Sequence, residues 1–252
     1  MEKTGTYNYQ AEVYSLDFRR QLTIPALSNY LLYAATCHAA SRGFGFDDMA
    51  KRNMLWVLSR LIIDIYDQER LSGPIRVITW IEGVDRIMTY RCFEITTPQG
   101  ETLGFARSSW AGLNHDTRRP VSLENLGLQD YIVDRHCPIT FDKFVTPTDA
   151  PEYAIPYTVK YSDLDMNGHF NSVKYMEAIL DIFDIERYRT HSISRFDIMY
   201  LAEGFYGMEL IVNRKQINDN EYVASICKEG KPICRANVRF RAMDNGQLIM
   251  FE

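Results

Sequence analysis

Apolar residues recur at helical spacing in one early segment of the chain. The predicted buried face of this helix carries Leu27, Tyr30, Leu31, Ala34 and His38. Thr23 precedes the segment as an N-cap residue, and Pro25 suits a first helical turn. The glycine-containing run at 43–46 ends the pattern, so the sequence predicts one long helix from about residue 24.

Segments rich in β-branched and aromatic residues follow this helix and predict strands. They cover residues 55–66, 75–82, 87–97 and 102–113. The turn-forming residues Pro98 and Gly100 separate the last two segments. The first half is therefore a helix followed by four antiparallel strands.

The second half repeats this order. A short strand is predicted at 157–161, then a helix whose apolar face carries Val173, Met176, Ile179, Leu180 and Phe183. Strands are predicted near 194–201, 207–214, 221–228 and 232–242. Residues 142–151 are polar, contain two prolines and suit a linker. The pattern predicts an α+β fold, with domains at 1–141 and 152–252.

Composition restricts the function classes. The 252 residues carry a net charge of −5, which argues against a broad basic surface for nucleic acid. No apolar run is long enough to span a membrane, and the N-terminal stretch has none typical of a signal peptide. Five scattered cysteines without CxxC spacing suggest free thiols. We therefore expect a cytoplasmic protein with neither nucleic acid nor membrane as partner.

Polar side chains alternate immediately before the second helix. They are Asp163, Asp165, Asn167, His169 and Asn171. In an extended segment this spacing places all of them on one side, and Gly168 permits a sharp turn into the helix. The helix N-terminus, an amide and a histidine together suit an acyl-transfer site. The alternative is structural, since Asp and Asn favour turns and Asn171 could simply cap the helix.

Other catalytic motifs are missing from the sequence. There is no nucleophile elbow, P-loop, dinucleotide-binding glycine motif or zinc-protease motif. The remaining histidines are dispersed, so we expect neither a metal site nor a cofactor. No serine or cysteine stands out as a nucleophile, which favours an activated water.

The stretch DLDMNGHFNSVKY at 163–175 resembles the signature D-L-D-x-N-x-H-x-N-N-V-K-Y of the plant plastid-type acyl-ACP thioesterases. KRNMLWVLSRLIIDI at 51–65 is similar to the family's KRDLIWVV strand, and NHDTRRP at 114–120 to its NQKTRRLSKLP segment. The resemblance covers residues from about 14 to about 240. It implies two hotdog domains in one chain, each a long helix wrapped by an antiparallel sheet.

The resemblance also implies an activity and site residues. The family hydrolyses the thioester between a fatty acyl chain and acyl carrier protein (ACP), without cofactor or metal. Its motif places functional groups on Asp165, Asn167 and His169. A further family glutamate matches Glu203, but the family cysteine beside it is replaced by Gly204. This departure favours attack by water over a cysteine nucleophile.

We expect general-base hydrolysis on this basis. Glu203 would hold and activate the water, and His169 would protonate the leaving thiolate or assist the water. Asn167 would orient the water or donate to the oxyanion, while Asp165 would fix His169 or Asn167 by hydrogen bonding. For Asp163, a turn or cap role stays open beside a part in the reaction.

The resemblance places the acyl-chain pocket in the N-terminal domain. Met54, Trp56 and Trp80 are candidates for its wall, although each also suits core packing. Because ACP is acidic, a local basic surface is expected. The candidate positions are Lys51, Arg52, Arg118, Arg119, Lys143, Lys160, Lys174, Arg235, Arg239 and Arg241.

Three other functions stay open at this point: a hotdog thioesterase acting on acyl-CoA, a non-catalytic acyl-binding hotdog protein, and a hotdog dehydratase. Two fused hotdog domains already mimic the usual hotdog dimer. Both a monomer and a homodimer are therefore compatible with the sequence.

Overall fold

The computed structural model describes residues 2–144 and 150–243. It divides into two compact units, Met1–Thr140 and Phe141–Glu252. Part of the predicted linker at 142–151, namely residues 145–149, lies outside the described residues.

Unit 1 is a five-stranded antiparallel sheet with one long helix. Its elements are β1 Gly5–Gln10, α1 Ile24–Ala40, α2 Phe46–Ala50, β2 Met54–Ile65, β3 Pro74–Val84, β4 Met88–Thr96 and β5 Thr102–Asn114. The strand order in the sheet is β1-β3-β4-β5-β2. The helix α1 packs against β1 and β3.

Unit 2 follows the same path. Its elements are β6 Tyr153–Thr158, α3 Ser172–Leu180, α4 Ile185–Thr190, β7 His191–Tyr200, β8 Glu209–Asn218, β9 Glu221–Lys228 and β10 Lys231–Ala242. The strand order is β6-β8-β9-β10-β7, again antiparallel throughout. Here α3 packs against β8 and β9.

The two helices begin where their capping residues predict. Thr23 Oγ1 accepts the N–H of Ala26 at 3.2 Å, and Asn171 Oδ1 accepts the N–H of Val173 at 2.9 Å. Each cap satisfies a donor that has no partner within the helix. The buried faces then hold the helices on their sheets. Complete burial of Leu31 or Ile179 stabilises the fold by about 1.5–3 kcal/mol each.

The structure corrects the strand prediction at the start of each half. β1 was not predicted, because its residues are mostly half-exposed or exposed and carry little apolar signal. β6 lies at 153–158 instead of 157–161, and Tyr161–Asp163 form a 3₁₀ turn. The helices α2 and α4 were also missed, since five or six residues are too few to show a helical period.

Candidate active site

The polar run before α3 folds into a tight loop organised by Asp165. The Oδ1 atom of Asp165 accepts the backbone N–H of Asn167 at 2.8 Å and that of His169 at 3.0 Å. Its own N–H donates to the carbonyl of His169 at 2.8 Å. Gly168 takes a left-handed φ of 77°, which its missing Cβ permits. One carboxylate therefore shapes the whole loop.

Asp163 and Asn171, the outer members of the polar run, serve the local structure. Asp163 is 6% exposed and accepts the Tyr157 hydroxyl at 2.9 Å and the N–H of Lys160 at 2.8 Å. Asn171 caps α3. The turn and cap interpretation thus describes these two residues, since Oδ2 of Asp163 and Oδ1 of Asn171 already accept hydrogen bonds.

Glu203 lies beside His169 although the two are distant in sequence. The Oε1 atom of Glu203 is 3.5 Å from Nδ1 of His169, and both side chains are partly exposed. Three backbone hydrogen bonds fix the segment after β7 that carries Glu203. The N–H groups of Leu201 and Ala202 both donate to the carbonyl of Ile233, at 2.9 and 3.1 Å. The carbonyl of Gly204 accepts the N–H of Phe170 at 2.8 Å.

Asn167 sits on the turn two positions before His169 and is exposed. Within the described part of the chain, its side-chain amide makes no hydrogen bond, while its backbone is held by Asp165. The loop thus presents a free amide on the same turn as His169.

Two tyrosines that the sequence did not predict as site residues, Tyr175 and Tyr200, stabilise this arrangement. The Tyr175 ring stacks on Phe170 at 4.1 Å, and its hydroxyl donates to the carbonyl of Ala202 at 3.2 Å. The Tyr200 hydroxyl donates to the carbonyl of Ser172 at 2.9 Å. Burial raises the pKa of both hydroxyls, so both stay protonated and donate. Tyr175 belongs to the signature stretch, which could have revealed it.

The position expected to hold a cysteine has no room for one. A Cβ on Gly204 would lie 2.9 Å from Cβ of Phe170 and 3.1 Å from the hydroxyl of Tyr175. A carboxylate beside an imidazole, close to the N-terminus of α3, instead has the groups needed for acid–base chemistry on a water. The described residues contain no cluster of three or more His, Cys, Asp or Glu side chains suited to a metal ion.

The residues considered for an acyl-pocket wall have core contacts in unit 1. Trp80 is fully buried, and its indole N–H donates to the carbonyl of Arg135 at 3.2 Å. Met54 and Trp56 pack against the cluster around Phe44 and Leu123. Their contribution to a pocket stays a prediction.

A depression of about 380 Å³ opens on unit 2, where its lining includes Ile211, Cys227 and Arg235. None of the four candidate site residues lines this depression. We therefore place the candidate site by side-chain chemistry and geometry, because the depression brings no acid–base pair together.

Two family models match the chain. Residues 2–131 match the family model of the acyl-ACP thioesterase N-terminal domain, and residues 148–242 match that of the C-terminal domain. The chain belongs to the acyl-ACP thioesterase family. The predicted resemblance is confirmed, and with it the assignment to a family of thioester hydrolases.

Solved structures of this family share the fold. A crystal structure of an acyl-ACP thioesterase from Bacteroides thetaiotaomicron is 40% identical, with a TM-score of 0.87 over 95% of this chain and 98% of that chain. The 12:0-ACP thioesterase from Umbellularia californica is 22% identical, with a TM-score of 0.87 over 96% and 99%. The predicted α+β double hotdog fold is confirmed.

The plant relatives are longer. The chain is 28% identical to oleoyl-acyl carrier protein thioesterase 2 from Arabidopsis thaliana over 75% of its own length and 57% of that protein's. It thus spans a little over half the length of that relative. Among the described residues of this acyl-ACP thioesterase family member, no helix has the length and apolar character required to cross a bilayer.

Proposed function

We propose that this protein hydrolyses fatty acyl-ACP, releasing free fatty acid and holo-ACP, with a water activated by Glu203. The observation that carries the proposal is the 3.5 Å approach of Glu203 Oε1 to His169 Nδ1 at the N-terminus of α3. Family membership supports the substrate. The absence of space for a cysteine at position 204 supports water as the nucleophile.

Each group has a defined part in the reaction. Glu203 removes a proton from the water, whose oxygen attacks the thioester carbonyl. Negative charge then develops on the carbonyl oxygen, and the Asn167 amide donates to it. The C–S bond breaks as His169 gives a proton to the leaving thiolate, and the proton that Glu203 took from the water passes to His169, which restores both groups. Asp165 holds the loop that carries Asn167 and His169.

The decisive experiment removes the base while keeping its shape. Glu203→Gln is expected to lower kcat at least about a hundredfold, and Asn167→Ala by a similar factor, since one such polar group is typically worth about 10²–10³ in rate. Free-thiol release from acyl-ACP measures the rate. Thermal unfolding checks that the fold is intact.

Glu209→Gln is the matched control, because Glu209 is an exposed carboxylate a few residues further along the same unit. It is expected to keep wild-type kcat. A Glu203→Gln protein that retains a tenth of wild-type kcat would contradict the general-base role.

A further inference from the structure

Unit 1 contains a loop with the same backbone as the candidate active-site loop. The 3₁₀ turn Val13–Ser15 corresponds to Tyr161–Asp163, and Thr23, the N-cap of α1, corresponds to Asn171, the N-cap of α3. The residues between match one to one, without insertion. The two loops can therefore be compared atom by atom.

Asp17 makes the same backbone bonds as Asp165. Its Oδ1 atom accepts the N–H of Arg19 at 2.8 Å and that of Gln21 at 3.0 Å, and its N–H donates to the carbonyl of Gln21 at 2.8 Å. Arg20 adopts a left-handed φ of 61° where unit 2 has Gly168. A non-glycine residue is strained in this conformation, so the loop keeps its shape despite an unfavourable residue.

The segment that carries Glu203 also has a counterpart. After β2, the N–H groups of Tyr66 and Asp67 both donate to the carbonyl of Leu103, at 2.8 and 3.3 Å. This repeats the contacts of Leu201 and Ala202 with Ile233. Gln68 therefore occupies the position of Glu203, and its Nε2 donates to the carbonyl of Leu22 at 2.8 Å.

The reactive side chains differ between the loops. Gln21 replaces His169 and Gln68 replaces Glu203, and an amide neither takes up nor releases a proton near neutral pH. Arg19 replaces Asn167, and its Nε and Nη2 atoms donate to Oδ2 of Asp17 at 2.9 and 2.8 Å. The loop of unit 1 retains the aspartate and has lost every group assigned to the chemistry.

We infer that unit 1 carries a second copy of the active-site loop without an acid–base pair, and that the aspartate common to both loops is a positioning residue. Asp165 acts through the backbone of Asn167 and His169, and its accepting oxygen, not its negative charge, is what catalysis requires. This inference rests on the proposed function for the assignment of the chemical groups. It gives Asp165 a positioning role, whereas Glu203 and His169 exchange protons.

Asparagine offers a clean test, because its Oδ1 atom accepts the same two N–H groups without carrying a charge. Alanine removes the acceptor and leaves both N–H groups without their partner. We expect Asp165→Ala to lower kcat at least about tenfold through displacement of Asn167 and His169. Asp165→Asn is expected to recover kcat to within about threefold of wild type, with an unchanged pH profile.

The counterpart in unit 1 provides the control. Asp17→Ala is expected to lower the thermal midpoint, as Asp165→Ala does, while kcat for acyl-ACP stays at the wild-type value. An Asp165→Asn protein as inactive as Asp165→Ala, or with a displaced acidic limb of its pH profile, would overturn the inference. So would a loss of kcat in Asp17→Ala equal to that in Asp165→Ala.

Failure of the proposed function would be visible separately. If the wild type released no thiol from acyl-ACP, the proposed function would fall. The thermal midpoints of the Asp165 variants would then test whether the Asp165 oxygen holds the loop. Recovery of the midpoint by Asp165→Asn relative to Asp165→Ala supports the loop assignment, and equal midpoints contradict it.

Discussion

Gly204 controls the space behind the candidate reaction centre. Its carbonyl accepts the N–H of Phe170, and a Cβ at this position would lie too close to the Phe170 and Tyr175 side chains. Any side chain at this position must displace one of two stacked rings. Glu203, the proposed base, directly precedes Gly204. Such a displacement would therefore also move the Glu203 carboxylate.

Gly204→Cys, which restores the family residue, is therefore expected to destabilise the protein by about 1–3 kcal/mol and to lower kcat. Thermal unfolding and thiol release measure the two effects. Gly83→Ala is the control, since its Cβ would meet Tyr90 at an ordinary 3.7 Å. Equal or higher activity in Gly204→Cys would show that the segment tolerates a side chain here and would weaken the case against a thiol nucleophile.

At the scale of elements, a buried polar contact ties α1 to its sheet. Nδ1 of His38 on α1 lies 2.8 Å from a guanidinium nitrogen of Arg91 on β4, and Nε2 lies 3.2 Å from the carbonyl of Lys3. Arg91 also donates to Thr79 on β3. Burial, reinforced by the Arg91 and Arg42 charges, lowers the pKa of His38 to about 3. His38 is thus neutral and accepts the Arg91 proton at Nδ1.

This contact makes stability depend on pH. The unfolded chain protonates His38 near pH 6.5, whereas the folded chain resists protonation until about pH 3. The unfolded state therefore binds more protons across this window, and the free energy of unfolding falls as pH falls, by at most about 1.4 kcal/mol per pH unit. Chemical denaturation at several pH values measures this slope.

His38→Asn is expected to flatten the slope, even if it lowers stability at neutral pH, because no imidazole remains to titrate. His136→Asn serves as the matched control, since His136 is exposed and outside this contact, and should leave the slope unchanged. A His38→Asn protein with the wild-type slope would assign the pH dependence to other groups.

At the scale of the whole molecule, the proposed function requires the chain to attract an acidic carrier protein while carrying a net charge of −5. Several of the basic positions considered for this contact already have acidic partners. Lys174 binds Glu177 at 2.6 Å and Arg239 binds Glu221 at 2.5 Å. Lys160 is exposed and directly precedes the 3₁₀ turn into the active-site loop. Because it adjoins the active-site loop within unit 2, we choose Lys160 as the position at which to test the proposed carrier contact.

The ratio of kcat/KM for acyl-ACP to that for acyl-CoA of equal chain length tests the proposed substrate and the role of Lys160. We expect a preference for acyl-ACP of at least about tenfold, and a smaller preference in Lys160→Glu through slower association with the carrier. Arg189→Glu is the control, because Arg189 lies on α4, next to the other end of β7. A preference for acyl-CoA would replace the proposed substrate with the alternative one.

Much of the molecule follows from local sequence. Thr23 and Asn171 mark the starts of α1 and α3 because a side-chain oxygen at an N-cap needs only the next few residues. Dense β-branched and aromatic residues predict long strands such as β2 and β5. The edge strand β1 lacks this signal, since only one side of it is paired and few of its residues are buried. Family motifs supplied the candidate site residues, including Glu203.

The sequence by itself determined the family, the order of helices and strands, and the identity of the groups available for chemistry. Only the tertiary structure brought Glu203 to His169 and closed the space at Gly204. The physical reason is the sequence distance over which each kind of interaction acts. Capping and periodicity act within one or two turns of chain, whereas these contacts join residues far apart in sequence through strand pairing and ring packing, which no local pattern encodes.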